Sequence, residues 1–214
     1  MDKLKCLLFS LILCFAFPLL NSAQYIKVEN TQDFMDKASS LSETTQSMKS
    51  DFVQEKHLSF MSEPIISKGV FQYKLDNKIR WQYTSPFNYL LILNNGKLLV
   101  DDEGNQNKID LSNNEMFKQI NDIISNALTG NVFDNPEQFN NTIEESKDSF
   151  RVSLTPKNKD LEIYIKEIKI ILSKETMLVK EVKLIELSDD FTKISFLNNK
   201  INNKIDDSVF ELNH

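Results

Sequence analysis

Between residues 51 and 111 the sequence falls into six short runs of strand length: 51–58, 65–75, 78–83, 89–93, 97–101 and 107–111. Turn signals separate them: Glu63-Pro64, Asp76-Asn77, Ser85-Pro86, Asn94-Asn95-Gly96 and Asp101-Asp102-Glu103-Gly104. Short alternating runs at this regular spacing predict an antiparallel meander. Asp76-Asn77 and Asn95-Gly96 both tolerate the positive φ that tight hairpins require. After a polar loop at 131–141 the same texture returns at 142–145, 150–155, 160–172, 178–186 and 193–197, with turns at 157–159, 173–176 and 188–190. Within 160–172 the apolar positions change parity between Ile165 and Ile168. That predicts either a bulge near Glu167 or two strands.

Two helical patterns flank these runs. Phe34, Ala38, Leu41, Thr45 and Met48 fall on one helical face, with Asn30 placed to cap it. Ser112 and Glu115 make a capping-box pair, and Gly130 stands where a helix would stop. Between them Met116, Phe117, Ile120, Ile123, Ile124, Ala127 and Leu128 form a wide apolar stripe. Such stripes normally pack inward as core; here packing inward and lining a pocket would use the same surface. Two helices cannot hide both faces of about ten or eleven strands, so the sheet must curl or split. The expected class is mainly β with α. Curling gives a half-open antiparallel β-barrel with a helical lid or plug; pattern alone also admits a two-sheet sandwich.

Residues 1–23 read as a cleavable secretory signal. Lys3 and Lys5 precede an apolar run from Cys6 to Leu20 interrupted by Ser10, and Asn21-Ser22-Ala23 supplies small residues before Gln24. The run is short for a membrane span, and Pro18 breaks its end. The expectation is export, with 24–214 as a single domain. Both cysteines, Cys6 and Cys14, lie in the signal, so the mature chain has no disulfide framework, thiolate metal site or cysteine nucleophile. Cys14 as a lipidation site would need small residues before it, and Leu11-Ile12-Leu13 stands there instead.

The formal net charge is −6, and the only arginines are Arg80 and Arg151. A mildly acidic, arginine-poor chain is ill suited to wrapping phosphates, so nucleic acid is not an expected partner. His57 and His214 sit in no nucleophile motif and share no metal-ligand spacing. Asp101-Asp102-Glu103 reads as a solvated turn or a weak calcium-like cluster. No acid–base pair or triad emerges, so the expectation is no enzyme, no cofactor and no metal.

A series of motifs in order gives the chain a family resemblance. They are Asp51-Phe52-Val53-Gln54, Lys68-Gly69-Val70-Phe71, Ile79-Arg80-Trp81-Gln82-Tyr83, Ser85-Pro86-Phe87 and Asn95-Gly96-Lys97. Asp148-Ser149-Phe150 leads on to Leu154-Thr155-Pro156-Lys157, and Asp206-Asp207 with Phe210 closes the chain. In this order and spacing the sequence resembles the LolA-like periplasmic carriers of outer-membrane lipoproteins. The resemblance implies an incomplete antiparallel barrel under a helical lid, with a hydrophobic cavity between. It implies a periplasmic, non-covalent carrier taking acylated lipoproteins from an inner-membrane releasing transporter to an outer-membrane receptor, most simply as a monomer. A lipidated outer-membrane receptor of the same fold and a periplasmic lipid- or peptide-sensing domain are the alternative readings.

On this reading the acyl-chain cavity comprises Phe52, Phe71, Tyr73, Leu75, Ile79, Trp81, Tyr83, Leu91 and Leu93, and the lid comprises Met116, Phe117, Ile120, Ile123, Ile124 and Ala127. Strand alternation puts Ile79, Trp81 and Tyr83 on one face, and Phe71, Tyr73 and Leu75 on one face of the preceding strand. Trp81, the only tryptophan, reads either as core or as a cavity aromatic. Leu90 and Ile92 alternate with Leu91 and Leu93, so this strand is apolar on both sides; one set lines the cavity and the other lies under a covering element. In several family members an arginine followed by proline ends the second strand and holds the lid shut. Here that place falls at Leu75, followed by Asp76, with Lys74 adjacent on the other face. The resemblance therefore implies a lid held by apolar contact, with Leu75 facing it or the cavity.

Overall fold

The computed structural model describes residues 24–76, 78–110, 133 and 137–211. The predicted signal at 1–23, the predicted helix at 112–130 with Met116, Phe117, Ile120, Ile123, Ile124, Ala127 and Leu128, and His214 lie outside the described residues. In chain order the elements are β1 (Ile26–Lys27), α1 (Gln32–Thr44), β2 (Ser47–His57), β3 (Ile65–Lys74), β4 (Lys78–Ser85), β5 (Tyr89–Asn94) and β6 (Lys97–Asp102). They continue with β7 (Asn105–Asp110), β8 (Phe139–Glu145), β9 (Ser149–Pro156), α2 (Lys159–Glu162), β10 (Ile165–Ser173), β11 (Val179–Glu186), β12 (Phe191–Ile201) and a 3-10 turn (Asp207–Phe210).

All twelve strands form one open antiparallel sheet in the order β1-β8-β9-β10-β11-β12-β2-β3-β4-β5-β6-β7. Two meanders, β2 to β7 and β8 to β12, are sewn together by the pairing of β12 with β2, in which Phe196 stands opposite Phe52. The sheet is larger than the ten or eleven strands expected, and β1 and β7 are its edges among the described residues. The hairpin turns use the expected chemistry: Asp76, Asn95 and Gly96 take φ of 68°, 50° and 72°.

Three expectations are corrected. Helix α1 buries Phe34 and Ala38 as its pattern predicts, but it stops at Thr44, and Met48 belongs to β2. The cause is Asn202, whose Nδ2 donates to Thr44 O at 2.9 Å and whose Oδ1 accepts from Gln46 N–H at 2.8 Å. The chain leaves α1 into these side-chain bonds, and Met48 becomes a fully buried inward residue of β2. Thr31 takes the N-cap position, although the side-chain bond comes from Asn30, which accepts the Gln32 N–H at 3.1 Å. The run 160–172 starts in α2 rather than as a strand, while the bulge expected near Glu167 is present, as a register shift of β10 between Ile165 and Glu167.

One apolar cluster unites both meanders on a common inner face. Phe139, Phe150, Leu154 and Ile170 from one side join Met48, Phe52, Phe71, Ile79 and Leu93 from the other. Phe34 of α1 packs edge-on against Phe150 and Phe133, at centroid distances of 5.1 and 5.0 Å. The outer face of β5 and β6 holds a second, smaller cluster of Ile92, Leu99, Ile205 and Phe210.

Candidate functional site

The inner face of β2 to β5 is an aromatic wall built by register. Phe71 lies opposite Trp81, Tyr73 opposite Ile79, Trp81 opposite Leu91 and Ile79 opposite Leu93. Period-two alternation sends these side chains to one side of the sheet. Phe52 contacts the rings of Trp81 and Tyr83 at 5.0 and 5.1 Å, and Trp81 also meets Phe71 at 5.2 Å and Phe196 at 6.2 Å. These tilted and edge-on arrangements suit the aromatic quadrupole.

Gly69 makes the wall possible. A Cβ there would collide with Gln82 O and come within 2.7 Å of the Phe52 ring. The glycine-led start of the second strand is therefore a packing requirement: only a bare Cα lets the Phe52 ring lie across β3 toward Tyr83.

The structure thus brings together Phe52, Phe71, Tyr73, Ile79, Trp81, Tyr83, Leu91 and Leu93 on one surface. Burial is graded along it. Phe52, Phe71, Tyr73, Ile79 and Leu93 are buried, whereas Trp81, Tyr83 and Leu91 are only half-buried. Leu75 is not brought to the wall. It follows the last residue of β3, is 46% exposed, and donates its N–H to Gln46 O at 2.9 Å. The turn at Asp76 begins there, so the strand periodicity that would aim Leu75 inward has already ended.

Polar atoms in the wall are few and mostly matched. Tyr83 donates its hydroxyl to Gln54 Oε1 at 3.0 Å, and burial pushes its phenol pKa up. Burial likewise raises Tyr73, with Asp76 adding to the shift. Trp81 Nε1 is buried with no acceptor at full hydrogen-bond geometry among the described residues, but it lies near enough to Tyr83 to offset part of that phenol's upward shift.

Beyond Tyr83 and Leu91 the wall opens into a mainly apolar groove of about 460 Å³ lined by Ile65, Ser67, Ser85, Pro86, Phe87 and Tyr89, with Asp102 and Glu103 at its edge. None of these residues is assigned to the cavity by the sequence, where Ser85-Pro86-Phe87 reads only as a turn and a family motif. Ile65 and Ser67 share parity with Phe71 and Tyr73, so continuing the alternation toward the start of the strand is the signal that would have found them. The double-sided apolar strand is also resolved: Leu93 faces the inner cluster, while Leu90 and Ile92 face the outer one under the chain's C-terminal segment. Among the described residues no group of histidine, cysteine or acidic side chains could hold a metal ion.

One open antiparallel sheet with a continuous aromatic inner face and few helices defines a mainly β protein. The family model described as outer membrane lipoprotein carrier protein LolA matches residues 43–213, and the chain belongs to that family. Solved structures with a similar course are a LolA superfamily protein from Nitrosomonas europaea (9% identity, 86% of this chain and 98% of that one, TM-score 0.44) and a DUF1329 family protein from Desulfovibrio piger (14%, 86% and 98%, 0.43). Pseudomonas aeruginosa MucB, solved with MucA, is 10% identical over 84% of this chain and 59% of that one, with a TM-score of 0.49. No curated protein sequence matches the chain.

Proposed function

We propose that this protein is a periplasmic carrier that holds the acyl chains of lipoproteins against its aromatic inner face and moves them from the inner to the outer membrane. On this reading the sheet curls into a half-open barrel, and the apolar stripe at 116–127 forms its lid. Its partners are an inner-membrane releasing transporter and an outer-membrane receptor, and no covalent chemistry takes place. The observation that supports this most is the gradient of the wall, from buried Phe52 and Phe71 through half-buried Trp81 and Tyr83 to an open apolar groove. Each CH₂ removed from water contributes about 0.8 kcal/mol, so a carrier needs a long apolar track that stays reachable. Family membership supports the same cargo class.

Native mass spectrometry of the protein isolated from its own cell envelope tests the reading. An added mass matching an acylated protein is the expected result. A ligand-free spectrum, together with no binding of a fluorescent fatty acid in solution, would sink it. Phe117→Asp should reduce uptake of that probe more than it lowers the melting temperature.

A further inference from the structure

Most of the large apolar side chains that are exposed among the described residues gather at one end of the sheet. Phe60 is 79% exposed, Phe87 68% and Leu187 58%, and Met61, Ile163 and Tyr164 are also exposed, as are the first two residues of β3. Register places them together. His57 of β2 pairs with Phe191 of β12, Lys56 with the first residue of β3, Lys68 with Ser85, and Ile165 with Glu186. The turns after β2, β4 and β11 and the segment before β10 therefore all open at the same end.

A single exposed apolar residue carries no meaning in a soluble protein. Four separate connections each presenting one or two at the same end form a pattern. The turns are held by polar bonds rather than by burial of their apolar tips: Asp190 accepts the Ser59 N–H at 2.7 Å, and the Met61 N–H donates to Leu58 O at 2.9 Å. This end is also the mouth of the groove, since Phe87 and the first residue of β3 line both.

We propose that this rim docks on the surface of a phospholipid bilayer, sinking Phe60, Met61, Phe87 and Leu187 into the boundary between headgroups and acyl chains. Interfacial binding of this kind scales with the apolar area inserted. Charge at the rim argues against anionic lipid, since Glu63 shares the turn with Met61 and Glu162 precedes Ile163. Lys56 is matched by Glu186 at 2.6 Å, Lys166 by Asp189 at 2.5 Å, and Asp190 adds a further carboxylate. These cations are occupied locally, so attraction to anionic headgroups is not what holds the rim down. The contact would place the groove mouth against lipid whatever the groove carries, so it stands apart from the carrier reading.

Flotation of the envelope-purified protein with zwitterionic phosphatidylcholine vesicles tests this, at low and high salt. The wild type should float equally at both. A Phe60→Ser, Met61→Ser, Leu187→Ser triple variant, which leaves the groove lining intact, should partition at least a hundredfold less, at about tenfold per large side chain. Its melting temperature and fatty-acid binding should be unchanged. Ile26→Ser, an equally exposed residue paired with Glu145 at the other end of the sheet, should float like the wild type. The proposal is overturned if the wild type stays with the soluble fraction, or floats only with anionic vesicles in a salt-sensitive way. It is also overturned if the triple variant floats normally, or if it instead abolishes self-association of the protein.

Discussion

Strands β5 and β6 are apolar on both sides, and the two sides have been finished differently. On the outer face, Ile92 and Leu99 are fully buried beneath Phe210 and Ile205. That cover is pinned by directional bonds. Asn94 Nδ2 donates to Phe210 O at 3.2 Å, Arg80 Nη1 to Val209 O at 3.1 Å, and Lys74 and Lys78 both reach Asp207, at 2.9 and 2.8 Å. On the inner face Leu91, beside Trp81 and Val100, is half-buried and borders the groove. Apolar area sealed by fixed polar bonds is stability. Apolar area that stays reachable is where the proposed carrier function would place its ligand. The parity of the pleat divides the same two strands between a sealed face and a reachable one.

The largest effect should come from Phe210→Ala. Removing a fully buried aromatic leaves a cavity costing about 3–5 kcal/mol. Fatty-acid binding at a temperature where the variant is folded should not change. A tenfold loss of binding in the folded variant would mean that the two faces are coupled. Trp81→Ala should do the reverse. Its half-buried ring contributes less to folding, about 2 kcal/mol, while probe binding falls by more than tenfold. A binding titration and a melt on the same preparation decide it.

The two faces differed in how readable they were. The inner wall was legible because alternation within each strand is local: Ile79, Trp81 and Tyr83 share a side by spacing alone. The outer cover was not, because it depends on a segment more than a hundred residues away in sequence lying across β3 to β6. Leu90 and Ile92 signalled that something must cover them, but parity cannot name the cover. The join between β12 and β2 was hidden for the same reason. Nothing in the run 47–57 states that its partner is 191–201, and the early start of β2 at Ser47 depends on Asn202, just past the end of that distant strand. Leu75 failed for the opposite reason. It continues the alternation of β3 without a break, and only the turn at Asp76 removes it from the sheet.

A smaller effect should appear when the outer cover loses its charge. Hydrogen bonds from Lys78 and Lys74 hold the Asp207 carboxyl down to about 2, from an ordinary 3.8. Because the folded carboxyl is the stronger acid, its ion pairs contribute stability that is present above about pH 4 and lost as pH falls through 2. Asp207→Asn should therefore melt below the wild type at neutral pH, with the gap closing on acidification. Since the side chain is 65% exposed, added salt should narrow the gap as well. Parallel melting curves at every pH would show that the cover is held by Phe210 and the backbone bonds alone.

The smallest effect belongs to Leu75→Arg, which asks whether the inner face can be given a polar pin like that of the outer one. The family pattern implies an arginine at this place, and an arginine aimed inward would find carbonyls to hold and fix a cover in one position. The structure puts position 75 in the turn, with its backbone N–H already engaged by Gln46 and its side chain about half in solvent. A guanidinium here stays hydrated beside Asp76, so the unpaired buried charge that would cost several kcal/mol does not arise. The melting temperature should stay within the range of an ordinary surface substitution, about 0.5 kcal/mol, and fatty-acid binding should match the wild type. If binding falls while stability holds, the new side chain has reached across to the inner face. The asymmetry between a pinned outer face and an open inner one would then rest on this one residue.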